Sequence, residues 1–180
     1  RDLVRTFSTE DPRRLSVAQS RTCVVHYRMG DFQLETLAPG GAVGQDGQGV
    51  EQGLLPLFLD VRTPGENGFI SHAHADHFAR HENILCSEPT ARILKARYNV
   101  ADERLNPRPF HEPLDVGPYR LQLLPAGHIY GSSMLHVTRK SDGESLLYTG
   151  DFKVQPSLTA EDPVFRQADT LVMETTFGAP

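Results

Sequence analysis

The chain has 180 residues, 38% hydrophobic and 23% charged, with a net charge of −5. That is enough apolar material for one substantial core, and it excludes a disordered chain. It contains no apolar run of membrane-spanning length, and its acidic balance excludes gripping nucleic acid by bulk charge. Residues 1–30 are polar and arginine-rich and read as an N-terminal extension or peripheral element, with a short strand at Cys23-Val24-Val25. Residues 31–180 read as one domain. Residues 31–37 alternate weakly and residues 39–47 are glycine-rich loop. Residues 54–61 (LLPLFLDV) read as a buried strand ending at Asp60, and residues 63–68 turn the chain. Phe69 and Ile70 form a second short strand, which delivers Ser71-His72-Ala73-His74-Ala75-Asp76-His77-Phe78.

Residues 78–82 read as the start of a helix whose first turn holds Asp76 and His77, followed by a strand at Ile84-Leu85-Cys86. Ser87 suits an N-cap and Pro89 a first turn, so residues 90–98 read as a helix, with Arg92, Lys95 and Arg97 on a solvated face. Residues 119–124 (YRLQLL) alternate as a half-buried strand leading into Pro125-Ala126-Gly127-His128. Residues 134–138 and 145–149 flank the turn Ser141-Asp142-Gly143, a hairpin whose second strand ends at Gly150-Asp151. Residues 170–173 (TLVM) form a last strand running into Glu174-Thr175-Thr176-Phe177-Gly178. Short strands, few helices and polar residues at strand ends make a mixed α/β domain whose strand ends converge on one site. Cys23 and Cys86, far apart and in no metal or redox spacing, read as incidental thiols in a reducing, cytoplasmic setting.

The chemistry concentrates in H-x-H-x-D-H, four metal-capable side chains within six residues. Imidazole and carboxylate are the donors that zinc accepts. In an extended segment His72, His74 and Asp76 face one way, while His77 points elsewhere and so implies a second metal. A glycine-flanked His128 and an acid at a strand end, Asp151, complete the set.

H-x-H-x-D-H, the glycine-flanked histidine and the T-G-D strand end together resemble the metallo-β-lactamase fold over roughly residues 50–180. P-A-G-H-I-Y-G-S at residues 125–132, L-Y-T-G-D-F at residues 147–152 and E-T-T-F-G at residues 174–178 are similar to motifs of its β-CASP nuclease group. Within that group the G-H-x-x-G-S form at residues 127–132 looks closer to the mRNA 3′-end-processing and bacterial ligase-associated branches than to the Artemis or RNase J branches. The resemblance implies an αββα sandwich with a dinuclear zinc site. His72, His74 and His128 would hold one ion, Asp76 and His77 the second, and Asp151 would bridge both. Asp60 would brace the histidine loop, and Asp76, Asp151 and Glu174 would be the catalytic acids. The other histidines (His26, His81, His111 and His136) match nothing in the pattern.

The resemblance further implies that the chain is the N-terminal half of such a sandwich. It would be part of a longer protein and end where a β-CASP insertion begins. Alone it would bind at most one metal well and have little activity. The expected function is hydrolysis of phosphodiester bonds in RNA or single-stranded DNA by a metal-activated hydroxide. The expected partner is nucleic acid and not a membrane, with a homodimer or a processing complex left open. A thioester- or lactone-cleaving hydrolase of the same fold and a non-catalytic interaction subunit are the alternatives.

Overall fold

The structure, a computed structural model, describes residues 57–174 together with the backbone of two earlier strands, β1 (Cys23–Tyr27) and β2 (Phe32–Leu34). Three strands follow: β3 (Leu57–Leu59), β4 (Asn67–Phe69) and β5 (Asn83–Ser87). The helix α1 (Glu88–Tyr98) comes next, then β6 (Leu105–Arg108) and β7 (Pro113–Val116). The chain continues through β8 (Tyr119–Pro125), β9 (Ser133–Arg139), β10 (Ser145–Tyr148) and β11 (Thr170–Glu174).

These strands form two sheets. The larger has the order β1-β11-β10-β9-β8-β7 and the smaller β2-β3-β4-β5-β6. β3 to β6 run parallel, so their C-terminal ends share one edge. In the larger sheet β10 and β11 are parallel, and their C-terminal ends deliver Asp151 and Glu174.

Side-chain alternation explains why two sheets stack. Leu57, Leu59, Phe69 and Leu85 of the smaller sheet pack against Leu121, Leu123, Leu135, Val137, Tyr148 and Val172 of the larger. On the outer face of the smaller sheet, Ile70, Ile84 and Cys86 pack under Ala91 and Leu94 of α1. The outer face of the larger sheet buries Leu124, Met134 and Leu147 beneath Phe152, Ala168 and Leu171. The helix begins where its sequence says it should. Ser87 Oγ accepts the Thr90 amide at 3.1 Å, and Asn99 closes the C-terminus in a left-handed conformation.

The expected α/β sandwich is therefore present, with differences in detail. The short strand at Cys23-Val24-Val25 exists, and it pairs with β11 in the larger sheet although it lies within the stretch read as an extension. The strand read over residues 54–61 is confined to Leu57–Leu59 among the described residues. Residues 78–82 are not helical. Tertiary contacts hold them in an irregular course: Phe78 stacks on Tyr98, and His81 is fully buried against Gly65 and Phe58. β6 and β7 were not anticipated from the sequence. The loop at residues 39–47 and the residues from Thr175 onward lie outside the described residues.

Candidate metal centre

The site residues sit at or just after strand ends, and specific contacts hold the loops that carry them. Asp60 follows β3 with φ of 49°, an unusual conformation for a side-chain-bearing residue. Its buried carboxylate accepts the Ser71 amide at 2.7 Å on Oδ1 and the Tyr148 hydroxyl at 2.9 Å on Oδ2. His77 Nδ1 lies 3.2 Å from the same Oδ2. Asp60 thus braces the histidine loop, as expected, and does so from the smaller sheet to the larger.

The loop itself turns rather than extends. The His77 amide donates to His74 O at 3.2 Å, and the His77 ring comes to 4.2 Å from that of His72. His77 therefore faces the same cavity as its neighbours instead of pointing away, which corrects the reading from strand alternation.

The His128 loop is fastened on both sides. Ser132 Oγ accepts the amides of His128 and Ile129 at 3.0 and 3.2 Å. Gly131 O accepts Ser87 Oγ at 2.6 Å and Thr90 Oγ1 at 2.9 Å, joining the loop to the start of α1. Glu161 Oε2 accepts the Gly131 amide at 2.8 Å. Gly131 has φ of +81°, and an added Cβ would sit 2.7 Å from Pro89 Cβ, so the G-S pair is required by both backbone and space. The glycine of T-G-D has a similar reason: at Gly150 a Cβ would meet Ser71 at 2.7 Å.

Together these supports bring His72, His74, His128 and Asp151 together, their donor atoms all within 4.8 Å of one another. His72 Nε2 is 2.9 Å from His74 Nδ1, and His128 Nε2 is 3.4 Å from the same atom. Asp151 Oδ2 is 3.9 Å from His72 Nε2 and 3.6 Å from His128 Nε2. A tetrahedron on bonds of about 2.0–2.1 Å has an edge of roughly 3.3 Å, so these separations bracket what one zinc-sized ion needs. The other oxygen, Asp151 Oδ1, lies 3.4 Å from His77 Nε2, which in turn is 4.0 Å from Asp76 Oδ2. Asp151 thus offers one oxygen to each cluster. Glu174 sits at the end of β11, where its charge acts on both His128 and Asp151.

The electrostatics fit a cation. Burial, then the neighbouring rings of His77, His128 and His74, push the His72 pKa down to about 2, so it is held neutral as a ligand must be. Burial also lowers His128, against the pull of Asp151. Asp151 is raised by burial and by Glu174 and Asp60, against His77 and His128; a cation would relieve this. Burial would lower His77, but the Asp60 contact together with Asp151 and Asp76 outweighs it and raises the pKa. Both ring nitrogens of His77 are buried without an aligned hydrogen bond, as expected of a side chain awaiting a ligand. Of the histidines set aside from the sequence, His81 and His136 are buried and lowered by burial, His111 is exposed, and none of these three joins the cluster; the side chain of His26 lies outside the described residues. Tyr148, Ser132, Ser133 and Glu161 were not singled out from the sequence. The first three lie in or beside the motifs, whereas nothing local marks Glu161.

No family model matches the chain. Curated relatives do. A probable DNA ligase of Opitutus terrae is 43% identical over 129 residues, covering 70% of this chain and 12% of that protein. The DNA cross-link repair 1A protein of Mus musculus is 30% identical over 117 residues, 62% of this chain and 11% of that one. An RNase J-like protein of Methanocaldococcus jannaschii is 29% identical over 134 residues, 62% of this chain and 31% of that one. The chain thus spans between 11% and 31% of these relatives' lengths. Among solved structures, the metallo-β-lactamase fold protein YhfI of Bacillus subtilis aligns over 55% of this chain and 52% of its own, with TM-score 0.39 and 19% identity. That likeness is too slight to carry weight. With the two-sheet sandwich, the strand-end site and the curated relatives in hand, the chain carries a metallo-β-lactamase fold of the β-CASP kind.

Proposed function

We propose that the chain is the metal-binding part of a zinc-dependent nuclease that cleaves phosphodiester bonds of RNA or single-stranded DNA. The observation that carries this reading is the convergence of four donors from three separate strand ends within 4.8 Å. His72, His74 and His128 would hold one ion, Asp76 and His77 a second, and Asp151 would bridge them. When bound, two such ions supply a water acidified to near neutral pH and a counter-charge for the phosphoryl oxygens.

The chain's own residues do the rest. Asp60 Oδ2 lies 3.2 Å from His77 Nδ1, so Nε2 is the nitrogen turned toward Asp151 and Asp76 and the one that would ligate. Asp76, a third exposed at its side chain, is the acid with room to orient a water at Oδ2. Glu174 faces the same centre from β11 and would manage charge on the bound strand. Nucleic acid as substrate is supported by relatives named for DNA repair, DNA ligation and RNase J likeness. The acidic chain would then meet its polyanion through the ions rather than through bulk charge.

The test uses the full-length protein with zinc. The wild type should cleave labelled single-stranded oligonucleotides and bis(p-nitrophenyl) phosphate, and Asp151→Ala should lose both activities and bound metal by mass spectrometry. Full activity of Asp151→Ala would refute the site, and turnover of thioesters in place of phosphodiesters would refute the substrate class.

A further inference from the structure

Arg108 closes β6 at the metal-bearing edge of the smaller sheet, where it pairs with Ser87 of β5. Alternation along the two strands decides which way it faces. Ile84, Cys86 and Leu105 pack toward α1, and Leu85 packs toward the larger sheet. Ser87 and Arg108 therefore share the inner face with Leu85, at the mouth between the sheets. Ser87 is also the residue whose hydroxyl donates to Gly131 O, in the loop that carries His128. The Arg108 backbone is thus set one strand spacing, about 4.8 Å, from that of Ser87, the residue that anchors the metal-binding loop.

Arg108 is half-buried, and its Nε is fully buried with no hydrogen-bond partner. It makes no ion pair with any described residue. Arg139, the other half-buried arginine among the described residues, is held by Asp142 and Glu144. A buried Nε–H without an acceptor is unfavourable, and an acceptor brought by a ligand would satisfy it. A planar, permanently charged fork fits a phosphate.

We propose that Arg108 binds a phosphate of the substrate strand next to the one held at the metal centre. This rests on the nuclease reading above and deepens it, by assigning a contact outside the ligand set that a substrate with one phosphate cannot use.

The experiment takes the full-length protein as wild type, Arg108→Gln and Arg108→Lys. Binding of a fluorescein-labelled single-stranded oligonucleotide is followed by anisotropy with the metals chelated, and turnover of bis(p-nitrophenyl) phosphate is measured with zinc. Arg108→Gln should weaken oligonucleotide binding about tenfold, the scale of one charge-assisted contact. It should lower the slope of log affinity against log salt by about 0.7, the value for one contact on a single strand. Arg108→Lys should restore part of both, and all three proteins should turn over the small diester equally. Unchanged oligonucleotide affinity and salt slope would overturn the inference. So would equal losses on both substrates with a lowered melting temperature, the mark of a structural ion pair to a carboxylate elsewhere in the protein. A wild type that cleaves neither substrate refutes the nuclease reading instead, and the anisotropy still decides Arg108.

Discussion

Replacing Gly131 with alanine tests the claim that the His128 loop is seated by the start of α1. Two costs apply. The backbone at φ of +81° disfavours any side chain by about 1–2 kcal/mol. The new Cβ would also lie 2.7 Å from Pro89 Cβ, 2.9 Å from the Thr90 amide nitrogen and 3.1 Å from Ser87 Oγ, so the loop must lift away from the helix. Lifting it breaks the two bonds that Gly131 O accepts from Ser87 and Thr90. At about 1 kcal/mol for each bond, the total loss is roughly 3–4 kcal/mol. Gly143 supplies the control, because it has φ of +80° and nothing within 4 Å of an added Cβ. Gly143→Ala should therefore show the backbone cost alone. Denaturant unfolding of both variants measures the difference, and hydrogen exchange should report faster opening at the Thr90 amide only in Gly131→Ala. Equal destabilisation of the two variants would refute the seating of the loop.

Other outcomes follow from the same geometry. With metal chelated, His72 has a folded pKa of about 2 against 6.5 when unfolded. The unfolded chain then binds the extra proton, so the stability that neutral His72 contributes is complete above pH 6.5 and lost as pH falls toward 2. The slope is up to about 1.4 kcal/mol per pH unit, and His72→Gln should remove it from urea midpoints measured across that range. Burial raises the Cys86 thiol to about 12, so iodoacetamide at pH 8 should leave it unmodified until the protein is unfolded; rapid native labelling would contradict its burial. On the proposed two-ion site, graded chelation should remove an ion at Asp76 and His77 before one at His72, His74 and His128, because the chain would supply fewer donors to the former. Metal content at each chelator concentration would check the order, and loss of both ions in one step would count against it.

The parts of the site legible in the sequence were those whose chemistry is local. A run of histidines after an apolar strand, a histidine between glycines and an acid after T-G are needed as residue types, and the structure brings His72, His74, His128 and Asp151 of these together. The N-cap at Ser87 was legible for the same reason. What escaped depended on contacts distant in sequence. Residues 78–82 have adequate helix propensity, yet the Phe78–Tyr98 stack and the burial of His81 override it. β6 and β7 contain Pro107 and Pro113, which argue against strands; both are edge strands, where a missing donor is tolerated. The direction of His77 failed because alternation presumes an extended backbone, and the bond from His77 N to His74 O makes a turn there.

Ser71, which supplies no metal donor in any of these readings, is where the supports meet. Its amide donates to Asp60, and its hydroxyl lies 3.0 Å from His72 Nδ1. Its carbonyl accepts both the amide and the hydroxyl of Ser133, at 2.9 and 3.0 Å, next to the His128 loop. Its side chain also fills the space that forces glycine at position 150, beside Asp151. The end of β3, the end of β4, the start of β9 and the turn after β10 are thus tied at one residue between the two sheets. The donors stand within 4.8 Å because their strands are fastened to one another there, so the geometry belongs to the packed sandwich rather than to the histidine loop. A site built this way asks little rearrangement of the protein when a cation binds, and the carboxylate of Asp151, raised by burial, gains most from its arrival.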